Sequence, residues 1–191
     1  NTYTVTGNNF TVTPLVNTSY SVTGTSSLGC VSGNTAVSNV LVNSSPTITV
    51  NSGSICLGNT FVIVPSGANT YTFSGLTASV SPVTTTAYSV TGTSTSGCIS
   101  SSAAISNVTV IALPTIAVNS GTICEGQSFT INPSGALSYT ITGGNFVVTP
   151  TLTGSYSVTG TSSVGCISAS AAVSDITVHV NPTITVSSGT I

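Results

Sequence analysis

The five cysteines are the residues of this sequence with the clearest capacity for covalent chemistry. Cys30, Cys98 and Cys166 follow one another at intervals of 68 positions, and Cys56 and Cys124 are separated by the same interval (98 − 30 = 166 − 98 = 124 − 56 = 68). Thiols bind zinc or form disulfides, but the sequence has no Cys-x-x-Cys pair and only one histidine to complete a zinc ligand set. The spacing therefore favours structural disulfides, which persist in oxidising compartments.

Two cysteine pairs separated by 42 positions are the expected disulfides. They are Cys56 with Cys98 and Cys124 with Cys166 (98 − 56 = 166 − 124 = 42). Cys30 is expected to stay unpaired by truncation, because its partner at the same separation would precede the first residue. Closing a loop of this size should stabilise a small domain by roughly 4 kcal/mol on the chain-entropy model.

Glu125, Asp175 and His179 are the remaining candidates for acid–base chemistry besides tyrosine. A catalytic triad needs a histidine and an acid that converge on an activated serine, whereas Asp175 and His179 are predicted to share one strand with no distinctive serine motif nearby. A calcium site usually gathers several carboxylate oxygens, which two isolated acids cannot supply to every repeat, although backbone carbonyls leave that alternative open. We therefore expect no enzymatic activity, no cofactor and no metal site.

Threonine pairs of the form Thr-x-Thr recur along the chain and include Thr2-Tyr3-Thr4, Thr47-Ile48-Thr49, Thr91-Gly92-Thr93 and Thr140-Ile141-Thr142. An ordered threonine array can bind ice or a glycan, but outward-facing threonine is also what strand propensity favours. Sequons for N-linked glycosylation occur at Asn9, Asn17, Asn43 and Asn107. Whether they or the many Ser and Thr hydroxyls carry sugar stays open.

Charged side chains are almost absent from the 191-residue chain, which has no Lys or Arg, two acids and one histidine. Nucleic acids and anionic membrane surfaces are bound through clustered cations, so neither partner is expected. No stretch reaches the ~18 consecutive apolar residues of a membrane helix, so we expect no membrane insertion within this segment. A net charge near zero also removes the repulsion between copies, which favours self-association.

The sequence repeats itself with a period of 68 residues. Residues 46–113 and 114–181 are identical at 39 of 68 positions without a gap, which is the signature of a tandem repeat. Residues 1–45 match 69–113, and residues 182–191 match the start of the unit. We therefore expect two complete repeats, the C-terminal part of a preceding one and the first strand of a following one, as a window on a longer array.

Apolar residues alternate with Ser, Thr or Asn, which is the pattern of half-buried β-strands. Comparison of the two copies places Phe61 and Ile63 inward, while Val62 and Val64 face outward. The other positions predicted to face inward are Val12, Tyr71, Phe73, Val80, Tyr88, Val90, Phe129, Ile131, Tyr139, Ile141, Val148, Tyr156 and Val158.

Six or seven short antiparallel strands in two packed sheets are expected for each repeat, that is, a small β-sandwich. Gly7-Asn8-Asn9 and Gly143-Gly144-Asn145 are typical of hairpin turns. The last apolar run changes parity between Ile105 and Val108, which predicts a β-bulge or a strand that switches sheets.

In order, the repeat carries the motifs Cys-x-Gly-x-x-Phe, Pro-Ser-Gly-Ala, Tyr-Ser-Val-Thr-Gly-Thr and Gly-Cys. These motifs resemble the immunoglobulin-like or PKD-like tandem repeats of very large secreted surface proteins of Bacteroidetes, including gliding adhesins, and the resemblance covers the whole chain. It implies export to the cell surface and a role as an adhesin stalk or filament. One departure is that Tyr88 lies ten positions before Cys98, whereas the corner tyrosine of an immunoglobulin domain lies two before its second cysteine.

The expected protein is an all-β chain of immunoglobulin-like sandwich repeats, arranged as a rod or filament outside the cell. Its expected function is structural, as a segment of an extracellular fibre or cell-surface adhesin stalk. Its expected partners are neighbouring repeats and other copies of itself. The alternative is a module that binds surface glycans or ice through threonine-rich strand faces.

Overall fold

The computed structural model describes residues 1–7, 9–75 and 77–189. Within these ranges the chain has 17 strands and no helix, so the predicted all-β class is confirmed. Accordingly, this part of the chain contains no helix long and apolar enough to cross a membrane. Asn8 of the expected turn at 7–9 and the last two residues of the expected strand at 182–191 lie outside the described residues.

The strands are short and follow one another with few residues between them. The first three are β1 (Thr2–Val5), β2 (Thr18–Thr25) and β3 (Ala36–Val40). The next eight are β4 (Thr49–Val50), β5 (Gly53–Cys56), β6 (Phe61–Val62), β7 (Pro65–Ser66), β8 (Thr70–Phe73), β9 (Ser79–Val80), β10 (Thr86–Thr93) and β11 (Ala104–Ile111). The last six are β12 (Gly121–Cys124), β13 (Phe129–Thr130), β14 (Ser138–Ile141), β15 (Val147–Val148), β16 (Gly154–Thr161) and β17 (Ala172–His179).

Three larger sheets have the strand orders β1-β2-β3, β5-β11-β10-β8 and β12-β17-β16-β14, and two-stranded ladders join β4 to β7, β6 to β9 and β13 to β15. In each four-stranded sheet, the strand that comes first along the chain pairs in parallel with the one that comes last along the chain. These pairs are β5 with β11 and β12 with β17. The expectation of purely antiparallel sheets was therefore wrong. Alternation of polar and apolar residues determines which face of a strand is buried, but it carries no information on the direction of the neighbouring strand.

Strands recur along the chain at the interval found in the sequence. β16 begins 68 residues after β10, and β10 begins 68 residues after β2. The pairs β5 and β12, β8 and β14, and β11 and β17 are offset by the same number. Residues 182–189 form no strand, whereas their counterparts in β4 and β5 pair with strands that follow them in the sequence.

The chain divides into two compact units. Unit 1 comprises Asn1–Val50, Val64–Leu76 and Ser89–Ile105, and unit 2 comprises Asn51–Ile63, Thr77–Tyr88 and Ser106–Ile191. The domain boundaries expected at residues 46, 114 and 182 follow the sequence repeat instead, and they stay predictions.

A two-layer core lies within unit 2. Ile123, Ile141, Val158 and Ile176 project from the four-stranded sheet, and they pack with Ile131, which follows β13. Phe129 and Val148, from the facing β13–β15 ladder, cover this cluster. The packing of a large sheet against a short ladder gives a small β-sandwich.

The predicted inward positions are confirmed. Ile63 and Ile131 are each 1% exposed, whereas Val62 and Val64 are 55% and 61% exposed. The remaining inward residues named above are buried or half-buried, with Val90 and Val158 fully enclosed. Comparison of two copies thus resolved the facing of strands that one copy leaves ambiguous.

The β-bulge expected near the end of the repeat is absent from β11. Burial alternates along this strand from Ala104 to Val110, so Ser106 and Val108 face inward and Ile105 faces solvent. Ser106 is fully buried, and its Oγ donates a hydrogen bond to the Asn51 carbonyl at 2.7 Å. The apparent change of parity arose because a serine occupies a core position, where its hydroxyl is satisfied by the backbone.

Substitution of Ser174 by alanine is expected to destabilise the protein by about 1 to 3 kcal/mol. Ser174 is fully buried, and its Oγ donates to the carbonyl of the half-buried Asn119 at 2.6 Å, so the substitution leaves that acceptor without its donor inside the core. Urea unfolding followed by circular dichroism measures the loss. Ser157→Ala is the matched control, because that side chain is exposed on β16; equal losses for the two variants would contradict the prediction.

Candidate functional site

All five cysteines lie among the described residues, and they form a single disulfide, between Cys56 and Cys166 within unit 2. The two residues are 110 positions apart in sequence, and their Cα atoms lie 5.6 Å apart. Cys98 and Cys124 carry free thiols, as does Cys30. The expected pairings of Cys56 with Cys98 and of Cys124 with Cys166 were therefore wrong.

Strand direction explains why the pairing within a repeat fails. Cys124 ends β12 and lies in register with His179, the last residue of β17. Cys166 lies in the turn that precedes β17, which begins at Ala172. Seven residue steps along a strand span roughly 23 Å, whereas a disulfide requires Cα atoms within about 7 Å. The two cysteines of one repeat thus lie at opposite ends of its last strand.

The turn that carries Cys166 is held by its own hydrogen bonds. The Ser162 amide donates to the Cys166 carbonyl at 2.8 Å, and the Cys166 amide donates to Ser162 Oγ at 3.1 Å. Gly165 adopts a φ of +85°, a conformation that glycine reaches without strain. Cys166 is 1% exposed, so the turn delivers a buried sulfur to a fixed position.

Glu125, Asp175 and His179 are not brought together as a catalytic group. Asp175 Oδ1 accepts a hydrogen bond from Ser155 Oγ at 2.5 Å across β16 and β17. His179 lies four residues further along the same strand, roughly 13 Å away, and its backbone carbonyl accepts a hydrogen bond of 2.9 Å from the Glu125 amide. Across residues 1–7, 9–75 and 77–189, no three His, Cys, Asp or Glu side chains are grouped to hold a metal ion.

Substitution of Asp175 by asparagine should change the free energy of unfolding by less than about 0.5 kcal/mol. Asn39 already occupies the corresponding position in unit 1, where its Oδ1 accepts from Ser19 Oγ at 2.6 Å, so an amide can take the same hydrogen bond. Chemical denaturation of the variant beside the unaltered chain measures the difference. A loss comparable to that of Ser174→Ala would show that the carboxylate charge itself matters.

Hydroxyl side chains, eleven of threonine and one of serine, form squares of four on three of the sheets. We call these squares tetrads. The tetrads are Thr2/Thr4/Thr23/Thr25, Thr70/Thr72/Thr91/Thr93 and Ser138/Thr140/Thr159/Thr161. Neighbours within a tetrad are spaced by roughly 4.8 Å across strands and 6.7 Å along a strand. Residues of the edge strand are exposed in each tetrad, and those of the inner strand are half-buried. The Thr-x-Thr pattern identified one side of the first two squares but only Thr140 of the third, and strand register supplies the other members.

The four sequon asparagines are all exposed. Two of them are engaged in local structure, since Asn17 Oδ1 accepts from the Val42 amide at 2.8 Å and Asn9 Oδ1 accepts from the Thr11 amide at 3.3 Å. Glycosylation at these sites stays a prediction.

A shallow hollow recurs beside the cysteine turns and was missed by sequence analysis. It is lined by Gly67, Ala68, Asn69, Ser94 and Thr95 in unit 1, and by Gly135, Ala136, Leu137, Ser162 and Ser163 in unit 2. The recurring Pro-Ser-Gly-Ala motif was the signal for it. Its lining offers hydroxyl and backbone groups but no charged side chain.

No protein-family model matches the chain, and no curated protein matches it. Among solved structures, it is similar to a Ca²⁺-stabilised adhesin of an Antarctic bacterium that is described as binding ice, with 16% identity, a TM-score of 0.44, and coverage of 88% of this chain and 58% of the other. A 1.5-MDa bacterial ice-binding adhesin gives 17%, 0.38, 85% and 74%, and Drosophila N-cadherin EC1-4 gives 12%, 0.23, 89% and 60%. The chain thus spans a little over half of the first adhesin structure.

Proposed function

We propose that the chain is a structural segment of an extracellular fibre or cell-surface adhesin stalk, built from tandem immunoglobulin-like repeats. The observation that carries this proposal is the disulfide between Cys56 and Cys166. Its two cysteines belong to successive sequence repeats, 46–113 and 114–181, so the bond ties one repeat to the next. A covalent link between neighbouring repeats suits a protein that resists extension outside the cell, where disulfides persist.

The composition supports a mechanical role over a chemical one. Glu125 and Asp175 are the only acids, and no Lys or Arg is present. Their placement, with Asp175 bound to Ser155 and away from His179, supplies no proton-transfer pair. A segment whose contribution is length and cohesion requires no such pair, so we propose that it is not an enzyme.

Lateral packing of copies into filaments is part of the proposal. Surface charge is nearly absent, so neighbouring chains repel each other weakly at any ionic strength. Exposed valines, such as Val62 and Val64 at 55% and 61% exposure, add apolar contact area between hydroxyl-rich strands. The partners of the segment are then neighbouring repeats and further copies of the same chain.

Negative-stain electron microscopy of the purified chain tests the structural role. Thin rods of uniform width, alone or bundled side by side, are expected, and bundling should change little between low and high salt. Flexible or collapsed particles would overturn the proposal. A glycan array and an ice-affinity assay should find the chain inert if its role is structural alone.

A glycan- or ice-binding surface is the second candidate function, and the tetrads favour it because they present hydroxyls on a regular lattice. Thr140→Val removes one hydroxyl from the exposed edge of a tetrad and keeps the β-branched shape that suits a strand. Retention on ice or on a glycan should fall in this variant and persist in Thr122→Val, a control on β12 at the opposite edge of the same sheet. Failure of the unaltered chain to bind either ligand would exclude this candidate.

A further inference from the structure

We infer that a disulfide of the Cys56–Cys166 kind forms at every boundary between repeats, and that Cys98 and Cys124 are each one half of such a bond. This junction disulfide joins the first cysteine of one repeat to the second cysteine of the next, 110 positions further along. The inference rests on the proposed tandem array. It accounts for the three free thiols together, since each would pair with a cysteine of a repeat beyond residues 1–191.

The first cysteines of the two repeats occupy the same place. Cys56 lies in register with Ile111 at the end of a parallel strand pair, and the amide of the following residue donates to the Ile111 carbonyl at 2.9 Å. Cys124 lies in register with His179, whose carbonyl accepts the equivalent hydrogen bond at 2.9 Å. Cys124 therefore has the same position in its strand pair as Cys56, but its thiol is free and exposed.

The second cysteines also occupy equivalent turns. The Cys166 amide donates to Ser162 Oγ at 3.1 Å, and the Cys98 amide donates to Ser94 Oγ at the same distance. Cys30 repeats this hydrogen bond, again at 3.1 Å. The turn that delivers the bonded sulfur of Cys166 is therefore already formed around both free thiols.

Cys98 lies against the strand end at which its partner is expected. Its Sγ donates to the Asn43 carbonyl at 3.7 Å. Asn43 stands 68 positions before Ile111, the residue in register with the bonded Cys56. A first cysteine 110 positions before Cys98 would lie in register with Asn43 and therefore next to Cys98 Sγ.

Each junction disulfide forms by oxidation of two thiols. Two electrons and two protons pass to an extracellular disulfide oxidant such as glutathione disulfide, which is reduced to two thiols, and the new sulfur–sulfur bond joins the repeats. The competing bond within a repeat is disfavoured, because the last strand separates Cys124 from Cys166 by roughly 23 Å.

The test extends the full chain by one repeat, with a second copy of residues 124–191 added after the last residue so that the 68-residue register continues. The protein is folded in a glutathione redox buffer, treated with iodoacetamide and digested with pepsin. Acid conditions suppress thiol–disulfide exchange because the thiolate is the attacking species, and trypsin has no site in the chain. Mass spectrometry then maps the linked and alkylated peptides.

Cys124 is expected to be linked to the second cysteine of the added repeat, 110 positions on, while the first cysteine of that repeat becomes the alkylated one. In the unextended chain Cys124 should be alkylated, which is the matched control. The Cys56–Cys166 peptide in the same digest reports correct folding. Alkylated Cys124 in the extended chain, a bond between the two added cysteines, or loss of the Cys56–Cys166 peptide would each overturn the inference.

Electron microscopy of the same extended protein separates this inference from the proposed function. If the extended protein forms rods but Cys124 is alkylated, the junction disulfide is overturned and the stalk proposal stands. If the particles are collapsed but Cys124 is linked, the stalk proposal is overturned and the junction disulfide stands.

Discussion

Replacing Cys56 with serine lowers the free energy of unfolding by roughly 4 to 5 kcal/mol, as expected for opening a closed loop of about 100 residues in the chain-entropy model. The bond joins residues 110 positions apart, so its loss restores much of the freedom of the unfolded chain. Cys56 is the better site for the substitution, because it is half-buried. At Cys166, which is 1% exposed, a serine would also bury a hydroxyl.

Urea unfolding followed by tyrosine fluorescence, in oxidising buffer, measures this loss. Cys124→Ser is the matched control, since its thiol is free and exposed, and it should unfold as the unaltered chain does. Addition of a reductant should bring the unaltered chain to the stability of Cys56→Ser. Equal stability of Cys56→Ser and the unaltered chain in oxidising buffer would mean that the bond does not form in solution.

Substitution of Gly135 by alanine is expected to cost roughly 4 kcal/mol, at the upper end of single-residue effects. Gly135 has a φ of +101°, and a Cβ built on it would overlap the Thr115 carbonyl oxygen. The close approach brings Ser134 opposite Ala117, where two backbone hydrogen bonds of 2.9 and 3.1 Å close the start of the repeat. The three atoms nearest to the added Cβ all belong to the backbone, so no side chain can move aside to relieve the clash.

Gly126→Ala separates the clash from the cost of the backbone conformation. Gly126 has a φ of +85°, but a Cβ there would meet no atom within 4 Å, so only the roughly 1 to 2 kcal/mol penalty of a left-handed residue applies. Thermal or urea unfolding of both variants measures the difference. Equal losses at the two positions would refute the close approach of Gly135 to Thr115.

Strand positions and their facing were predictable from the sequence, because two copies of one repeat constrain each other. Phe61 and Phe129 share an inward position although their neighbours differ, and the structure buries the residues that follow this pattern. The same reasoning failed at Ser106, because a polar serine is predicted to lie on the surface. Its burial is explained only by its hydrogen bond to the Asn51 carbonyl. Periodicity reports polarity, and polarity is only a proxy for burial.

The disulfide could not be paired from spacing, because a periodic sequence offers more than one consistent pairing. A separation of 42 positions and one of 110, which is larger by one repeat, both leave the register intact. The parallel direction of β5 and β12 decides between them, and that direction depends on contacts between distant strands. The tetrads were only partly predictable for the same reason, since the sequence analysis named Thr140 but strand pairing places Thr159 beside it.

The disulfide between Cys56 and Cys166 also determines the path of tension through the chain. Residues 57–165, which include β12, lie inside the loop that this bond closes, whereas β17 lies outside it. A pull applied on either side of the loop passes from Cys56 through the sulfur–sulfur bond to Cys166 and then along β17. The enclosed residues cannot be drawn out by that pull while the bond is intact, so we expect reduction of the bond to lengthen the chain under load.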